Sequence, residues 1–287
     1  MNNRHIFLII VVLIPFLLCN CASFPAEKIE LKEVKLPDRH YNITTSTSMN
    51  ITMRLKTPSL ATEDIRKNFP VSMHNTETKI MKVKTGSIAE NNSFPLTFEL
   101  IKHESITSLN NGPVQRIPKS KFVGLRIHGA SDYDGNENFF EIESTELSRE
   151  EKKQFTSLLE QLSKQGKVQK KSISVGESFT EKTPINMPLL GINFAMEMTV
   201  TYTLLRIKHG MAYFDYIGNL KLDISAEPVP VGIQASGDYA GKLSYDITKK
   251  AKIKDEGTIT MKGEMPLGDQ ALLFSGKLTQ TSITEIQ

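Results

Sequence analysis

The sequence predicts a mainly β fold: a long curved antiparallel sheet, half-barrel or barrel-like, with one well-formed helix packed on it. Three observations lead there. From Tyr41 the residues alternate for sixteen positions, with Tyr41, Ile43, Thr45, Thr47, Met49, Ile51, Met53 and Leu55 on one side and only polar residues on the other. That is the period of a strand with one polar face. Further runs of the same kind follow, separated by short turn sequences, which favours antiparallel neighbours. One stretch only, about 148–165, combines a cap, a period of three to four and a glycine stop.

The chain opens with MNNRHIFLIIVVLIPFLLCNC. One cation (Arg4) precedes thirteen residues of apolar character, Ile6 to Leu18. At about 1.5 Å per residue they are too short for a hydrocarbon core of about 30 Å, so the layout is that of a secretory signal. Leu18-Cys19-Asn20-Cys21 resembles a bacterial lipobox, with the aliphatic residue three before the modified cysteine and Asn20 in the place of the usual small residue. The resemblance implies cleavage after residue 20, a diacylglyceryl group on the Cys21 thiol, and fatty acylation such as palmitate on the new amino terminus. Ala22, rather than Asp, follows the cysteine, and by analogy with Gram-negative sorting this favours the outer membrane, facing the periplasm.

The organisation expected is therefore a signal peptide over 1–20, a lipidated cysteine and tether over 21–40, and a β-rich body over 41–287. The body divides into two similar halves, 41–166 and 167–287. The mature chain of 267 residues carries 34 Lys and Arg against 32 Asp and Glu, with no basic block, which argues against a nucleic-acid partner. Both cysteines sit at the processing site, so the body needs no disulfide and its core rests on burial alone.

Within 21–40, Ile29–Val34 reads as an edge strand. The sixteen-residue strand at Tyr41 is long enough to imply strong curvature or a bulge near Thr45–Thr47. Ser59 is expected to cap a short helix reaching Asn68, with Glu63 and Asp64 in its first turn. Strands are expected over 78–86, 94–103 and 121–129, with Asn110-Asn111-Gly112-Pro113 as a turn and Asp134-Gly135 as a hairpin before Phe139–Glu143. Ser148 and Glu151 form a capping box, and Phe155, Leu158, Leu159 and Leu162 make the apolar stripe of the helix that Gly166 ends.

After the Lys-rich joint at 164–171, a strand begins at Ser174. Pro184, Pro188 and Gly191 are expected to interrupt it. Phe194–Leu204 and Ala212–Ile224 alternate around a tight His209-Gly210 turn. Tyr239–Ile247, Thr258–Met265 and Leu272–Ile283 complete the set, with turns at Lys254–Gly257 and Pro266–Asp269.

Val175-Gly176-Glu177-Ser178-Phe179, Met198-Thr199-Val200-Thr201-Tyr202-Thr203-Leu204 and Gly210-Met211-Ala212-Tyr213-Phe214 resemble a family of uncharacterised β-rich bacterial lipoproteins. More distantly the layout is similar to periplasmic lipid and lipoprotein carriers with a half-barrel over a hydrophobic cavity. That similarity implies an apolar ligand and no catalytic residue.

The residues themselves offer no catalytic set. Gly-x-Ser-x-Gly is absent, the body lacks cysteine, and the five mature histidines have no paired ligand spacing. Asp132 to Asn138 is oxygen-rich, but Gly135 stands fourth rather than sixth, so a hairpin turn accounts for it better than a calcium loop. Ten methionines remain in the mature chain. They suit a flexible apolar pocket better than a copper site without His or Cys. The residues assigned to that pocket are Met49, Met53, Phe194, Met196, Met198, Tyr202 and Phe214. The function expected is a lipid-anchored, non-enzymatic envelope lipoprotein without cofactor, which binds or carries an apolar ligand or lipid. The alternative is an interaction or scaffold lipoprotein with a filled core.

Overall fold

The computed structural model describes residues 27–116, 120, 122–153, 155, 156, 159, 171–189, 192–226, 231–267 and 270–287, the side chains of 184–189, 192–194, 224–226, 231 and 267 excepted. Cys21, the signal segment, Leu158, Leu162 and Gly166 lie outside them. Strand accounts for 69% of the structure.

β1 (Lys28–Leu31) pairs with β8 (Lys171–Ser174) as a small antiparallel sheet. All other strands form one 12-stranded antiparallel sheet. They are β2 (His40–Leu55), β3 (Val71–Thr85), β4 (Ser93–Leu109), β5 (Gln115–Arg116), β6 (Arg126–Asp132), β7 (Glu137–Glu143), β9 (Ser178–Leu189), β10 (Ile192–Lys208), β11 (Met211–Ala226), β12 (Val231–Asp246), β13 (Ala251–Leu267) and β14 (Gln270–Ile286). Their order is β7-β6-β4-β3-β2-β14-β13-β12-β11-β10-β9, with β5 beside β4. The sheet is not closed: β7 and β9 are its free edges. The first and last long strands pair in its middle, from Leu55↔Leu272 to Tyr41↔Ile286, so both parts of the chain share one sheet.

The alternation translates directly into two faces. Tyr41 to Leu55 in steps of two aligns with Ile286 to Leu272 on β14, and the register carries the same face across β13, β12, β11 and β10. No register break occurs in the β2–β3 or β2–β14 pairing, so the bulge expected near Thr45–Thr47 is not there. The breaks lie elsewhere, leaving Ile101, Phe140, Leu205 and Ile253 as the extra residues. Ile101, Phe140 and Leu205 are exposed and Ile253 is half-buried; a bulge turns one side chain out of the alternation.

Several boundaries differ from the sequence reading for clear reasons. Thr62, not Ser59, caps the four-residue helix Glu63–Arg66, accepting from the Ile65 amide at 3.4 Å. β9 runs through Pro184 and Pro188 because it is an edge strand, whose outward amides have no ladder partner to lose. Lys254–Gly257 lies inside β13, not in a turn. The turn sits at Asp246–Lys250, where the Asp246 carboxylate accepts from the amides of Thr248 and Lys249. His209 and Gly210 adopt positive φ (52° and 74°) between paired Lys208 and Met211, as a two-residue hairpin requires. The capping box forms as read: Ser148 N–H donates to Glu151 Oε2 at 2.9 Å and Glu151 N–H to Ser148 Oγ at 3.2 Å. Residues 149–153, 155, 156 and 159 are helical.

One end of the apolar face is covered. β1 and β8 lay Ile29, Leu31 and Ile173 onto Val200, Leu204, Phe214, Tyr216, Leu243 and Tyr245. Phe155 of the capped helix stacks on Phe122 at 5.9 Å, and Leu159 packs against Tyr41, Val83, Leu96 and Phe139. Each large side chain buried this way contributes about 1.5–3 kcal/mol. From Lys28 onward the segment read as a tether is tied down: Tyr245 Oη donates to the Lys32 carbonyl (2.7 Å), and the Leu36 amide donates to Tyr41 Oη (2.7 Å).

Candidate functional site: the two faces of the uncovered end

Beside that cover the same face carries three rows of apolar residues across six strands, and only Val200, Met198 and Tyr239 of them meet the β1–β8 cluster. Met49, Leu278, Ile259, Tyr239, Gly218 and Val200 stand in register. Ile51, Gly276, Met261, Gly237, Leu220 and Met198 form the next row. Met53, Phe274, Gly263, Ala235, Leu222 and Met196 form the third. None of these positions is charged. At about 3.3 Å per residue, the rows from Met49 to Met53 span roughly 13 Å; beyond them Leu55 and Leu272 are buried with Ala61 and packed by Phe69 and Met265. Met49, Ile51, Met53, Met261, Phe274 and Leu278 are half-buried and belong to none of the clusters that pack beneath β1, β8 or the helix. Their partial burial comes from one another. A Cβ at Gly263 would stand 2.4 Å from the Phe274 ring, so the ring lies across that glycine.

The reverse face at this end is a trough of about 1180 Å³. Thr52 and Arg54 of β2 border it together with Glu197 of β10, five strand positions away in the sheet. The sheet therefore bends toward its polar face here. Lys221, Asp223, Gln234, Ser236, Lys262, Glu264 and Ser275 line the span between, together with Ala195, Leu273 and the intervening Met196, Leu222, Ala235, Gly263 and Phe274. A second concavity of about 720 Å³ continues it along Asn50, Asn219, Asp238 and Thr260. The sequence displayed every one of these polar residues through its alternation. What it did not display is the sense of the bend, which decides that the polar side is the hollow one.

The seven residues assigned to an apolar pocket share one face but not one environment. Tyr202 and Phe214 lie under the β1–β8 cover: Phe214 is fully buried, and Tyr202 stacks on Phe179 at 5.1 Å and meets Tyr216 at 5.5 Å. Met198 packs against the edge of that cluster. Met49, Met53 and Met196 stand in the uncovered band. Phe194 occupies the next row of β10 opposite Ile224, its side chain outside the described residues. Cys21 likewise lies outside them.

Between the two ends the apolar face holds polar groups that sequence reasoning did not single out. Tyr216 Oη donates to Asp255 Oδ1 at 2.7 Å and lies 3.0 Å from Tyr239 Oη. Burial first, then these two partners, push the Tyr216 phenol far above its ordinary value. Gly241 and Gly257 make room for the ring: a Cβ at Gly241 would stand 2.3 Å from Tyr216 Oη. Nearby, Lys252 Nζ meets Glu33 Oε2 at 3.0 Å. Burial opposes ionisation of Glu33, but Lys252 and Lys35 outweigh it and hold the carboxyl below its usual range. The Glu33 charge in turn raises Lys252. This group ties the N-terminal lead to β13. Among the described residues no group of three or more His, Cys, Asp and Glu has the arrangement of a metal site. In the 132–138 turn, the Asp132 carboxylate accepts from the amides of Asp134 and Asn136 at 2.8 and 2.9 Å.

No protein-family model matches the chain, and no curated protein matches it. Among solved structures, the chain is similar to OccK7 (OpdD) of Pseudomonas aeruginosa, at 6% identity over 86% of this chain and 99% of that one, with a TM-score of 0.25. A mutant porin of Rh. blastica gives 5% identity over 84% and 99%, with a TM-score of 0.21. At those scores the likeness carries no argument about function.

Proposed function

We propose that this chain is a lipid-anchored, non-enzymatic protein of the bacterial envelope that holds lipid acyl chains on the uncovered end of its apolar face. The observation that supports this most is the charge-free band across β2, β14, β13, β12, β11 and β10, all of whose eighteen positions except Val200, Met198 and Tyr239 lie outside the cluster beneath β1 and β8. Apolar side chains on a bare sheet face gain from any partner that removes them from water. Methionines suit chains of varied length and unsaturation because their thioethers adapt without strain. The anchor reading adds the source of those chains. An acylated Cys21 stands seven residues before Lys28, a reach of at most about 25 Å, and β1 lies on this same face. The outer membrane, with the protein facing the periplasm, is the location the lipobox favours.

The chain contains no tryptophan, which permits a direct test. Met53→Trp places a reporter in the band, and Thr52→Trp places one on the reverse face. With vesicles of bromine-labelled phosphatidylcholine, Met53→Trp is expected to shift to the blue and be quenched, and Thr52→Trp is not. Equal quenching at both positions, or at neither, would refute the reading. Native mass spectrometry of the periplasmic protein should show co-purified lipid that Met53→Glu removes. Cys21→Ser should abolish acyl labelling and membrane retention; a variant still labelled would rule out the anchor. The scaffold alternative requires instead that the band be occupied by protein, with no lipid recovered.

A further inference from the structure

The face that carries the band also carries a polar island. In the two rows next to Met49 and Leu278, Thr47 stands between Glu77 and Gln280, and Thr45 between Lys79 and Ser282. On β4 Ser105 lies opposite Glu77 and His103 opposite Lys79. Along β2 alone the two threonines are ordinary members of an alternating strand, and only the register shows that polar groups flank them on both sides. The charges of the island are paired. Glu77 Oε1 accepts from Lys79 Nζ at 2.9 Å and meets His103 Nε2. Burial opposes ionisation of Glu77, but the hydrogen bonds from Lys79 and His103 outweigh it and hold the carboxyl below its usual range. Lys79 is still 46% exposed, and the side chains of Thr47 and Gln280 have no hydrogen-bond partner among the described residues.

Gln280 and Ser282 also border a cavity of about 210 Å³ beneath the N-terminal lead. Thr284, Lys35, Asp255 and the Glu33–Lys252 pair line it further, and Lys254 at its border is taken by Glu256 at 2.9 Å. Around island and cavity, Glu77, Glu33 and Asp255 therefore face Lys79, Lys252 and Lys35, and these charges cancel.

We infer, building on the acyl-chain reading above, that the island and this cavity seat the head group of the bound lipid, and that the head is small, carries no net charge and both donates and accepts hydrogen bonds. An ethanolamine phospholipid and an acylglycerol have that chemistry. Sites that enclose a whole drug-sized ligand measure about 300–1,000 Å³, so the cavity takes a head and leaves the chains outside. Gln280 and Leu278 are two residues apart on one strand face, about 7 Å, so a head seated at Gln280 starts its chains at the edge of the band. A head with net charge gains little here, because each fixed charge that attracts it stands beside one that repels it. A quaternary ammonium donates no hydrogen bond and leaves buried acceptors without a partner.

The test uses the mature chain with Cys21→Ser and Met53→Trp, at about pH 8, where an ordinary imidazole is neutral. The probes are dihexanoyl lipids with ethanolamine, choline or glycerol phosphodiester heads, and dihexanoylglycerol, followed by tryptophan emission. The ethanolamine lipid or dihexanoylglycerol is expected to bind about tenfold tighter than the choline and phosphoglycerol lipids, and the tighter of the two identifies the head. Glu77→Gln leaves Lys79 uncompensated and should bring the anionic phosphoglycerol lipid level with the ethanolamine lipid or above it. Adding Lys79→Gln should restore the original order. Equal binding of all four lipids, preference for the choline or phosphoglycerol lipid, or an order that Glu77→Gln leaves unchanged would overturn the head-group site while the acyl-chain reading stands. No emission shift with any of the four would overturn both.

Discussion

The two ends of one apolar face carry similar residues and hold them differently. At the covered end Phe214, Leu204 and Tyr245 are almost wholly removed from water by β1 and β8. At the other end Met53, Met196 and Leu222 occupy the same face of neighbouring strands, half-buried and flanked only by one another. The difference is not hydrophobicity. It is whether a second layer of chain reaches that part of the sheet. A sheet face becomes a core only where something lies upon it: the short β1–β8 pair covers one end, Ala61 and Phe69 cover Leu55 and Leu272 at the far rim, and nothing among the described residues covers the rows of Met53 and Met196.

The largest effect should separate the two ends in stability. Phe214→Ala is expected to cost about 3–5 kcal/mol in urea unfolding, because it opens a cavity in a packed layer. Met53→Ala should cost less than half as much, since its surroundings are half open. Equal costs would mean that the bare band is packed after all. Next comes the sheet floor beneath the cover. Gly241→Ala forces a methyl group against the Tyr216 hydroxyl and should cost about 1–3 kcal/mol. A neutral result would show that both the Tyr216 ring and the Glu256 backbone carbonyl, 2.2 Å from the added carbon, can give way.

The pH response sharpens the comparison further. The Glu33 carboxyl titrates below its ordinary value of 4.5 in the folded protein. Its contribution is therefore complete above that value and is lost as pH falls through the lower, folded one. The covered end should loosen in acid, read as rising hydrogen exchange in β1 and β13. Glu33→Gln should remove that part of the acid response while leaving Met53→Trp emission unchanged. Glu137 works in the opposite direction: burial raises its carboxyl, so protonation relieves it as pH falls. Spectrophotometric titration of the tyrosines adds an alkaline reading. Tyr202 and Tyr245 are pushed up to about 12, both chiefly by burial. Their ionisation should appear only as the covered end opens. The smallest effect belongs to the rim of the trough. Lys56→Ala breaks a solvent-exposed pair with Glu264 and should change stability by less than about 1 kcal/mol.

Much of the fold could be read directly because alternation is a local property. β2 was legible to within a residue, the His209-Gly210 hairpin followed from its turn residues, and the Ser148–Glu151 box from its spacing. The errors came where tertiary position overrides local preference. Pro184 and Pro188 look like breakers until β9 is known to be an edge. Lys254–Gly257 looks like a turn until Asp255 is seen to receive the Tyr216 hydroxyl and Gly257 to lie beneath the tyrosines. The candidate pocket was legible only as a shared face. Nothing in the spacing of Tyr202 and Met196 tells that β1 covers one and not the other.

By itself the sequence determined the strands, their two faces, the position of the capped helix and the absence of a cysteine from the body, since each depends on residues near one another in the chain. The tertiary structure decided three things: that β14 returns to pair with β2, that the apolar face is covered by β1 and β8 at one end and by Ala61 and Phe69 at the far rim but, among the described residues, not over the band between, and that the sheet bends toward its polar side at that band. The physical reason is common to all three. Pairing, coverage and curvature depend on contacts between residues far apart in the chain, and a period of two specifies which way a side chain points but not what it meets there.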